Sequence, residues 1–425
     1  MPPHRHRLLS SALLVTVTTC VGCVTSSSAD SAIADPKEPV HQPAPLPAVA
    51  SATPPIAAEV EPTRAPVVPE LARFHAALHE LESKKRTRHV RIYWVGDSHG
   101  QADFWSGQLR RLLAERFGSG GPGFLHLGYK NYRHDGIKLE TDGKWRMRPK
   151  RPVGIEKQDD GVFGLGGLMM SGYADSPKVQ LTITETLPTE KLTYDLCYRF
   201  HQPDDQLEVT LGGERRAVRV DHASPVNSIR HLEMTPSSLS PFVVRPIGRT
   251  DLCGVAVETD PTAAPGIVLD TIAINGARYG TMLAWDEEAW VAEATRRPPD
   301  LAILELGTNE AGDTSPRYER VADQAEALLA RIRKVSPDAD CLIVSPTDRA
   351  DAEDRTAAMR DALMARSKLL GCAWFDAWHV LGEKGGMAKL RDEGEGKVQP
   401  DGIHLTIKGY RELGATMFSE LMKGY

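Results

Sequence analysis

Short, nearly continuous apolar runs alternate with helical stretches near both ends of this chain, and the pattern breaks off in between. His89-Val-Arg-Ile-Tyr-Trp-Val95 is one such run. Gly96-Asp97-Ser98-His99 follows at once, and then a stretch in which Phe104, Leu109, Leu112, Leu113 and Phe117 recur at helical spacing up to Gly118. The same alternation resumes at 301–304, 341–344 and 372–375, with helical periodicity over 318–334 and 353–370 and a last helix beginning near Thr406. Short apolar strands separated by helices predict an α/β fold, a parallel sheet covered on both faces by helices.

Between these parts the period changes to two. Val179, Leu181 and Ile183 alternate with polar residues, as do Leu192, Tyr194, Leu196, Tyr198 and Phe200, and shorter strand-like runs follow at 207–211, 217–220, 242–245 and 252–257. This predicts an antiparallel β-sandwich over 135–265, inserted into a parallel-sheet domain formed by 70–134 and 266–425. Tyr194, Tyr198 and Phe200 share one face of their strand and read as core. Cys197 falls on the opposite, polar face. Trp285 and Trp290, where the chain returns, read as core first and as sugar-stacking residues second.

The N-terminus reads as an export signal: a basic start, Met1-Pro-Pro-His-Arg-His-Arg, then an apolar stretch over 8–19 too short to span a bilayer. It closes on Val21-Gly22-Cys23, which resembles a bacterial lipoprotein cleavage site, so Cys23 is the lipidation candidate, with a plain cleaved signal over 1–23 as the alternative. Residues 24–69 are dominated by Pro, Ala, Ser and Val without amphipathic period, the composition of a tether. Together these place the folded part outside the cytoplasm, anchored to a membrane through its N-terminal lipid only. A net charge of −6 argues against nucleic acid as a partner. Of the six cysteines, Cys197, Cys253, Cys341 and Cys372 lie beyond the signal, with no spacing suited to a metal, so no metal or organic cofactor is expected. In an oxidising compartment Cys197 and Cys253 can pair, and two free thiols remain the other reading.

Three motifs fall at strand ends. Ser98 lies in the turn between the first strand and its helix, at the carboxyl edge of the sheet, where open α/β sheets hold ligands and where free helix N–H groups gather. Asp401-Gly-Ile-His404 precedes the last helix, a spacing that lets a carboxylate orient an imidazole. Gly307-Thr-Asn309-Glu follows the strand at 301–304 and offers a side-chain amide. Each motif alone is equally a cap or a turn. Their joint occurrence, in this order, supplies a nucleophile, a base, an orienting acid and a donor for a developing oxyanion.

Gly96-Asp97-Ser98-His99, Gly307-Thr308-Asn309-Glu310 and Asp401-Gly-Ile-His404 resemble three sequence blocks of the SGNH (GDSL-like) hydrolases. Gly118-Ser-Gly-Gly-Pro-Gly-Phe124, Phe163-Gly-Leu-Gly-Gly167 and Ile274-Asn-Gly-Ala277 narrow the likeness to the bacterial peptidoglycan O-acetylesterases. The resemblance implies Ser98 as nucleophile, His404 as base and Asp401 as its partner, with the N–H groups of Ser98 and Gly276 and the Asn309 amide forming the oxyanion hole. It also implies that the inserted sandwich is like a carbohydrate-binding module, and that the chain removes O-acetyl groups from a cell-wall glycan. One alternative keeps the same residues, an O-acetyltransferase; a second, of a different class, is a surface glycan-binding protein with a vestigial hydrolase domain, against which the intact Ser98, His404, Asp401 and Asn309 set argues.

Overall fold

The computed structural model describes residues 68–425 apart from 131, 189–190, 222–225 and 237–240. Cys23, the signal and almost all of the Pro/Ala/Ser-rich stretch lie outside the described residues.

The parallel sheet is present, with spatial order Ile267–Ala273, Val90–Gly96, Leu301–Glu305, Asp340–Val344, Ala373–Phe375 and every neighbouring pair parallel. Its strands read as apolar runs because both faces are covered. Ile92 and Trp94 of the first strand point to a core shared with Leu78, Trp105, Leu109, Leu113, Leu413 and Met417, from helices Ala72–Glu82, Trp105–Phe117 and Ile407–Leu421. Tyr93 and Val95 point to the other core, with Trp290, Leu328, Ile332, Met359 and Leu363 from helices Glu287–Thr295, Tyr318–Val335 and Glu353–Leu370. Each such side chain, fully withdrawn from water, contributes about 1.5–3 kcal/mol.

The middle of the chain forms a sheet of nine antiparallel strands, seven on one continuous hydrogen-bonded path and two, Gly123–Leu125 and Ile137–Arg148, paired to it from the side. The expected sandwich of two separate sheets is corrected to a single curled sheet, and one strand explains why. Met169–Ile183 pairs near its start with Thr250–Thr259, through Met170 and Ser171, and near its end with Phe242–Ile247, through Val179, Gln180 and Leu181. The layers that a sandwich would keep apart are therefore joined through this strand. Ser176 sits within it at a φ of 51°, and the partner strand Ile137–Arg148 shifts register between Asp142 and Trp145. The short strand Gly123–Leu125, which precedes position 135, also joins this sheet by pairing with Thr250–Thr259.

One face of the curled sheet encloses its own core, with Tyr194, Tyr198, Phe200, Leu207, Phe242 and Val255. The other face packs on the parallel-sheet domain, where Cys197 and Cys253 share a core with Phe163, Leu165, Met170 and Trp285. Cys197, on the face whose sequence neighbours are polar, is thus buried, and it is bonded to Cys253. A second disulfide, Cys341–Cys372, staples the strand Asp340–Val344 to the entry of the edge strand. A buried ionic cluster also fixes the two sheets together. Arg91 on the first parallel strand contacts Glu258 of the curled sheet at 2.7 Å and Asp270 at 3.0 Å, and Arg297 reaches both acids as well. Removing one member of such a cluster leaves a buried charge unpaired, at a cost of about 3–5 kcal/mol.

Candidate active site

The strand Val90–Gly96 delivers Asp97 to the N-cap of a short helix, Ser98–Gln101, where its side chain accepts the N–H of His99 at 2.9 Å. Gly96 is required just before it, because a Cβ there would collide with Glu305 Oε2 and lie 2.9 Å from Trp94 Nε1. Ser98 is left half-buried at the carboxyl edge of the sheet.

Ser98 Oγ lies 2.9 Å from His404 Nε2, across 306 residues of chain, and His404 Nδ1 lies 2.7 Å from Asp401 Oδ2. Local chemistry builds the far half of this relay. Asp401 Oδ1 accepts the N–H groups of Ile403 and His404, Gly402 supplies the left-handed φ of 66° the turn needs, and Thr406 caps the helix that follows. Burial works against charge on Asp401, but the hydrogen bonds from His404 and Ile403 outweigh it and hold the carboxyl below its usual range. An ionised Asp401 keeps the imidazole proton on Nδ1 and leaves the Nε2 lone pair facing the Ser98 hydroxyl.

The other sequence-predicted residues converge on the same edge. Asn309 is the second residue of helix Thr308–Ala311, whose N-cap is Gly307 at a φ of 112°. Its Nδ2 donates at 3.0 Å to Asp97 Oδ2 and at 3.0 Å to the Ala277 carbonyl. Gly276 lies in the turn that closes from Ala277 N–H to the Ile274 carbonyl and has a φ of 82°. Among the described residues no acceptor meets the backbone N–H of Ser98 or of Gly276. Such free donors beside a hydroxyl are what an oxyanion hole requires.

Several neighbours of the site were not legible in the sequence. Glu305, at the end of its strand, is fully buried against Asp97, and its Oε2 accepts the Asp97 N–H at 3.3 Å. Burial raises Asp97 despite the N–H of His99, and burial together with the charge of Asp97 raises Glu305 further. The two carboxyls therefore retain a proton between them, with Asp97 free to accept from Asn309. His99 is sealed between Thr347 Oγ1 at 3.0 Å and Tyr410 OH at 2.9 Å, and its ring centroid is 5.2 Å from that of His404. Burial, then the nearby His404, lower His99 to about 3, so it is a neutral wall behind the candidate base. Trp285 and Trp290 are core, the latter donating to the Leu165 carbonyl at 3.1 Å. Cys197, His231 and Glu293 lie at a spacing that suits a metal, but the Cys197 sulfur is committed to its disulfide.

Residues 256–412 match the family model of the GDSL-like lipase/acylhydrolase family. The matched span covers well under half of the chain and holds Gly276, Asn309, Asp401 and His404, so over that part the chain is similar to the GDSL-like acylhydrolases. In overall fold it is similar to a solved peptidoglycan O-acetylesterase, with a TM-score of 0.66 and 19% identity over 81% of this chain and 94% of that one. A lipase/acylhydrolase from Enterococcus faecalis aligns with a TM-score of 0.29 and 15% identity, over 37% of this chain and 76% of its own. An acetyl xylan esterase aligns with a TM-score of 0.30 and 15% identity, over 38% and 84%. No curated protein matches the chain.

Proposed function

We propose that this chain is a serine esterase that removes O-acetyl groups from peptidoglycan or a related extracytoplasmic glycan, through an acetyl-serine intermediate. The observation that carries this reading is the relay Ser98–His404–Asp401, at 2.9 and 2.7 Å, opening beside the unpaired N–H groups of Ser98 and Gly276. Ser98 Oγ attacks the acetyl carbonyl while His404 Nε2 takes its proton, and the oxyanion forms against the two N–H groups and the Asn309 amide, whose proton on the Ala277 carbonyl turns to it while the bond to Asp97 holds the amide in place. Collapse expels the sugar hydroxyl with the proton from His404. Water, activated by the same imidazole, then attacks the acetyl-serine and releases acetate.

The glycan substrate is supported by the fold shared with a peptidoglycan O-acetylesterase. Work outside the cytoplasm is supported by the two disulfides, and we assign lipid attachment to Cys23. The test is acetate release from purified O-acetylated peptidoglycan, with Ser98→Ala alongside. Release by the wild type and none by the variant is the expected result. No release by either overturns the reading, and acetyl transfer to an added oligosaccharide in place of release makes the chain a transferase.

A further inference from the structure

Beside the oxyanion donors lies a cavity of about 200 Å³, lined among others by Arg278, Glu310, Asp313, Arg317, Arg320 and Ile155. It is continuous with the site through the chain itself, since Arg278 is two residues beyond Gly276 and Glu310 follows Asn309. Ile155, contributed by the inserted segment, is 51% exposed at its rim.

The charges in this cavity do not balance. Arg278 is paired, its two terminal nitrogens contacting the Asp313 carboxylate at 2.7 and 2.8 Å. Arg317 and Arg320 are exposed and meet no acid among the described residues. They stand at the N-cap and in the first turn of helix Tyr318–Val335, where the backbone already presents positive potential and only Glu319 offsets it. Cations at that end of a helix are unfavourable. Two arginines without an acid on the wall of one cavity give it a positive rim that an anionic group would neutralise.

Glu310 supports the same conclusion from the cavity wall. It is 4% exposed, its Oε1 accepts the Tyr279 N–H at 2.8 Å, and its Oε2 is buried without a partner. Burial raises this carboxyl to about 7, against the pull of Arg278, so near neutrality it withholds much of its negative charge from the arginines. The space corresponds to roughly seven waters' share of liquid volume, enough for a carboxylate and the few carbons that carry it.

We infer that this cavity is a subsite for a carboxylate borne by the acetylated sugar, with Arg317 and Arg320 as its principal contacts and Arg278 as a wall. The inference deepens the esterase reading and rests on it for the identity of the sugar. Guanidinium groups suit planar carboxylates, and placing them beside the oxyanion donors registers the ester carbonyl against Ser98. In a peptide-substituted wall the lactyl carboxyl of muramic acid is an amide, so the carboxylate comes either from unsubstituted muramic acid or from the stem peptide.

The experiment compares three 6-O-acetylated N-acetylmuramic acid derivatives, bearing a free lactyl carboxylate, a lactyl amide, or a lactyl-linked alanyl-glutamate. The full chain is used as wild type, as Arg317→Gln/Arg320→Gln and as Arg317→Glu/Arg320→Glu. Expected is a wild-type kcat/KM at least tenfold higher for one carboxylate-bearing derivative than for the amide. That ratio falls towards one in the Gln pair, inverts in the Glu pair and shrinks in 0.5 M NaCl. Which carboxylate is favoured identifies its source. Calorimetric binding of the same three sugars to Ser98→Ala reads the subsite without catalysis. Absence of turnover on all three sinks the esterase reading while the binding ratio still decides the subsite, and equal ratios in wild type and both variants overturn the subsite.

Discussion

Asn309 hands one amide proton to Asp97 Oδ2 at 3.0 Å, so the residue immediately before the candidate nucleophile also holds the candidate oxyanion donor. The other proton goes to the Ala277 carbonyl, next to Gly276. Three strand ends are thereby tied into one cluster. Asp97 does what an ordinary helix cap does and something further, because the buried Glu305 behind it retains the proton that lets Asp97 stay an acceptor.

Asn309→Ala should therefore lower kcat by about a hundredfold or more with little change in KM, the pattern of a donor that acts mainly in the transition state. Asp97→Asn keeps an acceptor oxygen but loses its charge, and should reduce kcat by roughly tenfold through a misplaced amide. Steady-state kinetics on a nitrophenyl acetate reads both. An Asn309→Ala enzyme with unchanged kcat would remove the amide from the mechanism.

Gly96→Ala places a methyl against Glu305 Oε2 and 2.9 Å from Trp94 Nε1, both on side chains with no room to retreat. Overpacking of this kind costs about 1–3 kcal/mol. Urea unfolding should show the midpoint falling by the corresponding amount, and an unchanged midpoint would mean that the Glu305 carboxyl is not confined there.

The relay was legible in the sequence because each half is local. Asp401 and His404 meet through a turn of their own making, and Ser98 follows a strand whose apolar run is unbroken. The walls were not legible, since His99 finds its partners 248 and 311 residues away, on elements whose sequence shows ordinary Thr and Tyr. In the inserted segment, two-residue periodicity located strands without revealing that Met169–Ile183 changes partners along its length. The same alternation marked Cys197 as facing outward. A strand buried on both faces can keep one face polar when ion pairs such as Asp195–His231 satisfy it, and periodicity cannot distinguish that face from a solvated one.

The Cys341–Cys372 bond closes a separation of 31 residues and ties the short edge strand Ala373–Phe375 to its neighbour. On the chain-entropy account a loop of that size contributes about 3–4 kcal/mol. Cys341→Ser/Cys372→Ser should lose stability of that order under oxidising conditions, and dithiothreitol, which also opens Cys197–Cys253 in both proteins, should abolish the difference between variant and wild type. Equal stability of the two proteins under oxidising conditions would contradict the assignment.

His231 pins the inserted sheet to helix Glu287–Thr295, lying 2.9 Å from Asp195 and 3.1 Å from Glu293, with Arg296 on the far side of Asp195 at 2.8 Å. Burial disfavours the imidazolium, but the hydrogen bonds to Asp195 and Glu293 outweigh it and raise His231 to about 9. A histidine raised above its unfolded value of about 6.5 stabilises the fold fully below that pH and loses the contribution as pH climbs through the folded value. Stability should thus decline between about pH 6.5 and 9, by no more than about 3 kcal/mol from this group. His231→Gln keeps the size and a hydrogen-bonding tip but cannot titrate, so its thermal midpoint should be lower than that of the wild type at pH 6 and converge with it near pH 9.5. Parallel profiles across that window would show that the clamp does not carry charge.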